Sequence, residues 1–173
     1  IPMRLSAFLP GVVLMATATL APAQQPEIRF DQYTLENGLT VILHEDHTAP
    51  VAAVVVMYHV GSKNEKPGRT GFAHLFEHVM FKGSQHIADG EHFKLLQEIG
   101  ATINGSTTED RTNYYETVPG NELELALYME SDRMGWLLPA VNQTKLDNQR
   151  EVVKNERRQN YDNQPYGTAY EKL

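Results

Sequence analysis

His74, Glu77 and His78 form the spacing H-x-x-E-H in a segment with helical periodicity. Two histidines four residues apart lie on one helix face, so both imidazoles can reach a single ion, with the glutamate beside them. Imidazole and carboxylate ligands suit zinc, and three protein ligands leave a fourth tetrahedral position for water. Zinc lowers the pKa of that water to about 7, and a nearby carboxylate can take its proton as it attacks a carbonyl. The alternative is a solvated polar helix face that binds no metal.

An apolar stripe runs along the same segment. On a helical wheel its members cluster within about 140° of arc, and the three polar residues centre about 180° away. We therefore expect the stripe to pack on a sheet while the histidines and the glutamate converge elsewhere. The stripe consists of Phe72, Leu75, Phe76, Val79 and Met80.

The composition limits the kind of site and the kind of partner. The chain has 173 residues and no cysteine, so any metal must be held by histidine and carboxylate side chains. Apolar residues make up 41% and charged residues 21%, as in an ordinary soluble globular protein. The net charge is -7, whereas affinity for nucleic acid comes largely from basic side chains. Nucleic acid is therefore excluded as a partner.

The first 23 residues have the pattern of a secretory signal peptide. Arg4 precedes a short apolar stretch, which ends at Ala21-Pro22-Ala23. A membrane anchor is the alternative, but the stretch falls short of about 20 consecutive apolar residues. We predict cleavage after Ala23, export to the periplasm or the medium, and no membrane segment in the mature chain, residues 24–173.

Apolar runs and turn residues predict the strands. Asn37-Gly38 lies between two such runs and predicts a β-hairpin, because both residues accept positive φ. Residues 51–60 form a continuous, β-branched apolar run, which is typical of a central strand covered on both faces. Residues 101–107 and 112–118 are predicted to pair as antiparallel strands.

Helical spacing predicts four helices. The second follows Asp89 and is ended by Gly100, and the third begins at Asn121, where Glu124 completes an apparent capping box, and runs to Trp136. The fourth covers residues 143–161. Helices mixed with antiparallel strands predict an α+β fold, an antiparallel-rich sheet with helices packed on it.

Several segments together closely resemble the N-terminal catalytic domain of the pitrilysin/insulinase family of zinc metallopeptidases. The likeness spans nearly all of residues 24–173 and implies a metallohydrolase-like peptidase domain of the pitrilysin and mitochondrial processing peptidase type. Residues 169–173 are interpreted as the start of a new segment, so we expect the chain to be a truncated fragment. The segments that carry the likeness are residues 61–65, 71–84, 100–107, 112–115 and 150–158.

The resemblance assigns roles to individual residues. It implies that His74, His78 and Glu156 hold one zinc ion and that Glu77 is the general base. Glu151 is the competing third ligand, but it lies about 140° from Glu156 on the helical wheel. Either glutamate could instead be a solvated helix charge.

The sequence departs from the family pattern at one position. Many relatives carry a glutamate two helical turns before the third ligand, where this chain has Gln149. Residues 149 and 156 lie about 20° apart on the wheel, so Gln149 can still form hydrogen bonds around the ligands, but without a charge.

In the family, an extended peptide substrate pairs with a sheet edge. The matching residues here are Asn104, Gly105, Ser106 and Thr107, although an ordinary hairpin strand would look the same. The other histidines are interpreted as surface or core residues, and Trp136 and Tyr114-Tyr115 as packing residues. Those histidines are His44, His47, His59, His86 and His92.

These expectations define the predicted function: a zinc-dependent endopeptidase that cuts extended peptides. The resemblance also implies a second peptidase half, on the same longer chain or a separate subunit. The alternative is a zinc-binding, non-catalytic subunit of a two-part assembly. A lyase that shares the inverted motif is excluded, because its chemistry employs a cysteine.

Overall fold

The computed structural model describes residues 27–169 and residue 172. The predicted signal peptide, residues 1–23, lies outside the described residues. The chain divides into two compact units between Asp46 and His47.

The first unit contains the predicted hairpin. Strands β1 (Asp31–Thr34) and β2 (Thr40–Leu43) pair antiparallel. Gly38 has a φ of 88°, and its N–H donates to the Leu35 carbonyl over 2.9 Å. The positive φ that the turn requires is therefore supplied by the predicted glycine.

The second unit contains an antiparallel sheet of β3 (Val51–Tyr58), β4 (Thr102–Thr107) and β5 (Thr112–Pro119). Its order is β3-β5-β4, so the central strand is β5. The prediction that residues 51–60 form a central strand covered on both faces is therefore wrong. Along β3 the residues alternate in exposure, and Val55 and Met57 on the outer face are 61% and 68% exposed. The apolar run thus reflects strong β propensity on both faces, with burial on one.

Helices α1 (Phe72–Val79), α2 (Glu91–Glu98), α3 (Leu123–Trp136) and α4 (Gln143–Arg157) complete the unit. Gly100 ends α2 as predicted, with a φ of 75°. The predicted capping box at the start of α3 is wrong. Within the described residues no side chain caps this helix, because the chain enters it through a 3-10 turn at Gly120–Glu122, where the Asn121 side chain donates to Glu122.

The core lies between the inner face of the sheet and helices α2 and α3. It comprises Ile87, Leu96, Ala101, Val118, Ala126 and Met129. Helices on an antiparallel sheet confirm the predicted α+β fold class. None of the helices in the described part of the chain is long and apolar enough to cross a bilayer.

Candidate zinc site

Helix α1, which carries the H-x-x-E-H residues, is fixed at its start by a carboxylate from the preceding loop. Gly71 is its N-cap residue and has a φ of 92°. The two oxygens of Glu65 accept hydrogen bonds from the N–H groups of Gly71 (2.9 Å) and Ala73 (2.7 Å). A carboxylate here satisfies free backbone donors and complements the positive end of the helix dipole.

Three side chains from two helices converge beside α1. The Nε2 atoms of His74 and His78 lie 3.1 Å apart. Glu156 Oε2 lies 3.4 Å from His74 Nε2 and 3.3 Å from His78 Nε2. Among the described residues, this is the cluster whose donor atoms could hold a metal ion.

The distances suit a tetrahedral zinc site. Zinc bonds of about 2.0–2.1 Å in tetrahedral geometry place the donor atoms about 3.3 Å from one another. The three observed separations, 3.1, 3.3 and 3.4 Å, match that value. The side chains of His74, His78 and Glu156 are 43%, 21% and 37% exposed, so a water molecule or a substrate has access to the same point.

Helix α4 delivers Glu156 because it packs against α1. Asn142 caps α4, its side-chain oxygen accepting from the Lys145 N–H over 2.9 Å. Glu151, the competing candidate, instead accepts a hydrogen bond from Lys154 Nζ over 2.9 Å and is exposed. The structure therefore brings Glu156, and not Glu151, to the two histidines.

Glu77 differs from the helical-wheel expectation. It is 9% exposed, and its Oε2 accepts a hydrogen bond from Thr107 Oγ1 over 2.5 Å. By contrast, Phe72 and Phe76 of the predicted packing stripe are 42% and 47% exposed. The expectation that the whole stripe would pack on the sheet is therefore wrong, because α1 turns Glu77 toward β4.

The donors open into a cavity of about 440 Å³. Phe81 and Phe93, whose rings lie 5.0 Å apart, form an apolar part of its wall. The polar, uncharged residues Asn104 and Gln149 also line it. A cleft with apolar walls and a few convergent polar groups is the usual form of a ligand site.

The four residues predicted to bind substrate lie on β4, an edge strand of the described sheet. Asn104 lines the cavity. Gly105 approaches Phe81 so closely that an added Cβ would meet its ring at 3.1 Å. The Ser106 hydroxyl donates to Asn113 over 2.6 Å, and Thr107 is bonded to Glu77. Of the four, Asn104 alone is thus among the described residues that line the cavity, and substrate contact stays a prediction.

Gln149 lies at the cavity as the wheel predicts, and it is 6% exposed. Its Nε2 donates to the Asn148 side chain over 2.7 Å. A role in supporting the ligands stays a prediction.

Tyr114 packs beneath α1, as predicted for a packing residue. It is fully buried, and its ring meets Phe81 edge to face at 5.4 Å. Burial raises the pKa of Tyr114, so the phenol remains a protonated donor, and its hydroxyl lies 3.5 Å from the Glu77 carbonyl oxygen. Tyr115 and Trp136 are exposed, at 40% and 50%, so neither is a buried packing residue, although the Trp136 ring contacts His86.

The remaining histidines are surface or core residues, as predicted. His44, His47 and His59 are exposed, whereas His92 is fully buried. His86 is partly exposed, and its Nδ1 lies 2.5 Å from the buried Asp132, which also accepts from Ser84. Burial raises the pKa of Asp132, but the hydrogen bonds from Ser84 and His86 outweigh it and lower that pKa.

Sequence reasoning missed three contributors: the capping role of Glu65, the bond from Thr107 to Glu77, and the apolar wall. A glutamate a few residues before a helix was the available sign of the cap. The bond between Thr107 and Glu77 joins residues 30 apart in the chain and left no local sign.

Comparisons with known proteins identify the family of the chain. Residues 40–172 match the family Insulinase (Peptidase family M16). The chain is 33% identical over 163 residues to the zinc protease PqqE of Helicobacter pylori, covering 94% of this chain and 36% of that protein. The chain thus spans about a third of this relative's length.

Two solved structures share the fold. The crystal structure of a protease from Helicobacter pylori superposes with a TM-score of 0.78 at 34% identity, covering 83% of this chain and 34% of that one. The crystal structure of pitrilysin gives a TM-score of 0.68 at 24% identity, covering 82% of this chain and 15% of that one. These likenesses confirm the predicted fold, and the family match confirms the resemblance read from the sequence: this chain is a member of the insulinase family of peptidases, family M16.

Proposed function

We propose that this chain carries the catalytic zinc site of a metalloendopeptidase that hydrolyses extended peptides. The observation that carries the proposal is the convergence of the His74, His78 and Glu156 donor atoms within 3.1–3.4 Å of one another. Glu77 lines the same cavity and is available as a base. Family membership and the similarity to a zinc protease support the metal and the reaction class.

One zinc ion would be held by His74, His78 and Glu156. When bound, it would polarise a water molecule and the carbonyl of the scissile peptide bond. Glu77 would accept the proton of the attacking water and deliver it to the leaving amine, as a general base and then a general acid. Burial of Glu77 at 9% exposure limits competing contact with bulk water.

The substrate would lie along the free edge of β4 beside the cavity. Main-chain hydrogen bonds to an edge strand give affinity with little demand on side-chain identity, which suits varied peptides. Asn104 lines the cavity and is placed to contact the peptide backbone. A second peptidase half, from the same longer chain or a separate subunit, would hold the other side of the substrate.

Gln149 would support the ligands through a neutral amide where many relatives have a carboxylate. Outer hydrogen-bonding partners change metal affinity or activity by about 10–100-fold. We therefore expect Gln149→Glu to tighten zinc binding, measured by competition with a chelator. Unchanged or weaker zinc binding would contradict the supporting role of Gln149.

The test of the reaction is Glu77→Gln. We expect this variant to keep its zinc, because Glu77 is not among the converging donors, while peptide cleavage falls by about 10²–10⁴-fold. Metal analysis and hydrolysis of a quenched fluorescent peptide measure the two quantities. The control is Glu151→Gln, on the same helix as Glu156. Glu151 is exposed, so this variant should cleave like the parent.

Cleavage by Glu77→Gln at the parent's rate would contradict the base assignment. Zinc binding without peptide cleavage, in the parent chain both alone and together with the second peptidase half, would support the non-catalytic subunit instead. Export of the mature chain also remains a proposal, and N-terminal sequencing of the protein from a secreting host would test cleavage after Ala23.

A further inference from the structure

A threonine on the sheet is bonded to the proposed base. Thr107 is the last residue of β4, on the inner face of the sheet, and its Oγ1 lies 2.5 Å from Glu77 Oε2. Both side chains are at least partly buried, so the contact is shielded from bulk water. A hydroxyl that donates to a carboxylate forms a charge-assisted hydrogen bond, which is stronger than a neutral one.

The distances around Thr107 favour donation of its hydrogen to Glu77. Thr112 is the cross-strand partner of Thr107, and their Oγ1 atoms lie 3.3 Å apart. The Thr112 hydroxyl donates its single hydrogen to the Val60 carbonyl over 2.9 Å. Thr112 thus has no hydrogen left to donate to Thr107, and it can only accept. The single hydrogen of Thr107 has two acceptors within reach, and Glu77 Oε2 at 2.5 Å is much nearer than Thr112 Oγ1 at 3.3 Å.

This arrangement restrains a side chain that would otherwise be free to rotate. A glutamate has three side-chain torsions, and ordering it costs conformational entropy at the moment of reaction unless it is already held. The bond engages Oε2 and leaves Oε1 as the oxygen that can receive a proton. Catalytic groups held in advance in the productive geometry contribute to rate without a cost during the reaction.

We propose that Thr107 is a positioning residue that holds the carboxylate of Glu77 for proton transfer. The inference rests on the proposed function, which gives Glu77 its role as base. It revises the sequence-based role of Thr107 from a side chain that binds substrate to one that orients the base. The backbone of β4 remains available for the peptide.

The kinetic test compares three substitutions. Thr107→Val keeps the β-branched shape and the strand propensity but removes the hydroxyl, and Thr107→Ser keeps the hydroxyl. Thr117→Val makes the same change on the exposed face of β5 and serves as the control.

We expect Thr107→Val to lower kcat about 10–100-fold, since a misplaced catalytic group costs up to about 10²-fold. KM should stay within about twofold, because a residue that orients the base does not bind the substrate. Thr107→Ser should restore most of kcat. A raised KM at constant kcat would overturn the proposal in favour of substrate binding, and failure of the serine to rescue would also overturn it.

A second readout uses the metal-free chain and does not depend on activity. Urea unfolding is measured for the parent, Thr107→Val, Glu77→Ala and the double variant. Loss of a hydrogen bond to a charged group should raise the unfolding equilibrium constant of Thr107→Val about tenfold. In the Glu77→Ala background the same substitution should have little effect, because the partner is already gone.

The two readouts separate failure of the inference from failure of the proposed function. Equal effects of Thr107→Val in both backgrounds would overturn the inferred contact whether or not the chain cleaves peptides. Coupled stability would support the contact even if the chain, assayed together with the second peptidase half, has no peptidase activity; that inactivity would contradict the proposed function alone.

Discussion

Histidine and glutamate serve two regions of this molecule in opposite ways. At the zinc site, His74, His78 and Glu156 are partly exposed and aim their donor atoms at one point. In the interior, His92 of α2, Glu116 of β5 and Glu130 of α3 are at most 2% exposed. Similar residue types thus provide an accessible group of ligands in one region and a buried polar cluster in the other.

The buried cluster is organised around Arg133, which is 1% exposed. Its guanidinium pairs with Glu130 and lies 4.2 Å from the centre of the Tyr114 ring. Several buried atoms in the described part of the chain lack a hydrogen-bond partner, including both ring nitrogens of His92 and both carboxylate oxygens of Glu116. Such groups are costly to bury, so this region depends strongly on charge pairing and on protonation state.

The difference shows that access and convergence, rather than residue type, distinguish a chemical site from a structural one. The zinc-site donors remain open to solvent and to a cavity, which ligand exchange requires. The buried cluster is closed to solvent, and breaking its charge pair would leave an unpaired buried charge. Substitutions should therefore affect stability most in the buried region and zinc binding most in the open one.

The largest expected effect on stability is that of Arg133→Met. Removing the arginine leaves Glu130 without its buried partner, and breaking such a pair costs about 3–5 kcal/mol of unfolding free energy. Urea unfolding measures the change. Arg150→Met, which breaks the exposed pair with Asp147, is the control and should cost about 0–1 kcal/mol. Equal losses of unfolding free energy in the two variants would contradict the special dependence of the buried cluster on its charge pair.

The second prediction concerns pH. Burial raises the pKa of Glu116 to about 7, against the lowering effect of Arg133. The folded state therefore binds an extra proton between about pH 4.5 and pH 7, and the Glu116 contribution to stability is lost as pH rises through that range.

Burial lowers the pKa of His92 to about 4, with Arg133 acting in the same direction and Asp132 against it. The unfolded state then binds the extra proton between about pH 4 and pH 6.5, so the His92 contribution rises with pH. Each contribution is at most on the order of 3 kcal/mol, and the two oppose each other where their ranges overlap.

Single variants separate these contributions. In Glu116→Gln only the His92 contribution remains, so this variant should be less stable at pH 5 than at pH 7. In His92→Leu only the Glu116 contribution remains, so this variant should be more stable at pH 5 than at pH 7. Thermal unfolding at the two pH values gives the comparison. The same sign of slope in both variants would show that the buried cluster does not titrate as described.

The smallest expected effect on stability is that of Glu65→Ala at the start of α1. Loss of a cap that accepts two backbone hydrogen bonds costs about 1–2 kcal/mol. Because α1 carries two of the donors, zinc affinity should fall as well. The control is Glu98→Ala, which removes an exposed ion pair whose charged atoms lie 3.9 Å apart. It should change neither stability nor zinc affinity measurably. If Glu65→Ala binds zinc like the parent, the cap does not position the site.

The sequence was sufficient for those parts of the site that depend on local geometry. His74 and His78 meet because residues four apart share a helix face. The position of Glu156 came from the family resemblance, because spacing along the chain does not determine how α4 packs on α1. The hairpin and the β4-β5 pair followed from turn residues and β-branched runs.

Other features depend on packing between elements and had no local sign. The wheel gave the faces of α1 but not its rotation over the sheet, so the burial of Glu77 and the exposure of Phe76 were not foreseen. The apolar run of β3 indicated a strand but not its place at an edge. The burial of Arg133 was not predicted from the sequence, since burial of such a residue depends on partners distant in sequence.

The central claim is that three donors from two helices form one zinc site. Its most direct test is the zinc content of the chain after dialysis, measured for the parent, Glu156→Gln and Glu151→Gln. We expect one zinc ion per chain in the parent and in Glu151→Gln, and at least about a hundredfold weaker binding in Glu156→Gln. If Glu156→Gln holds zinc as tightly as the parent does, the claim that three donors form one zinc site is wrong.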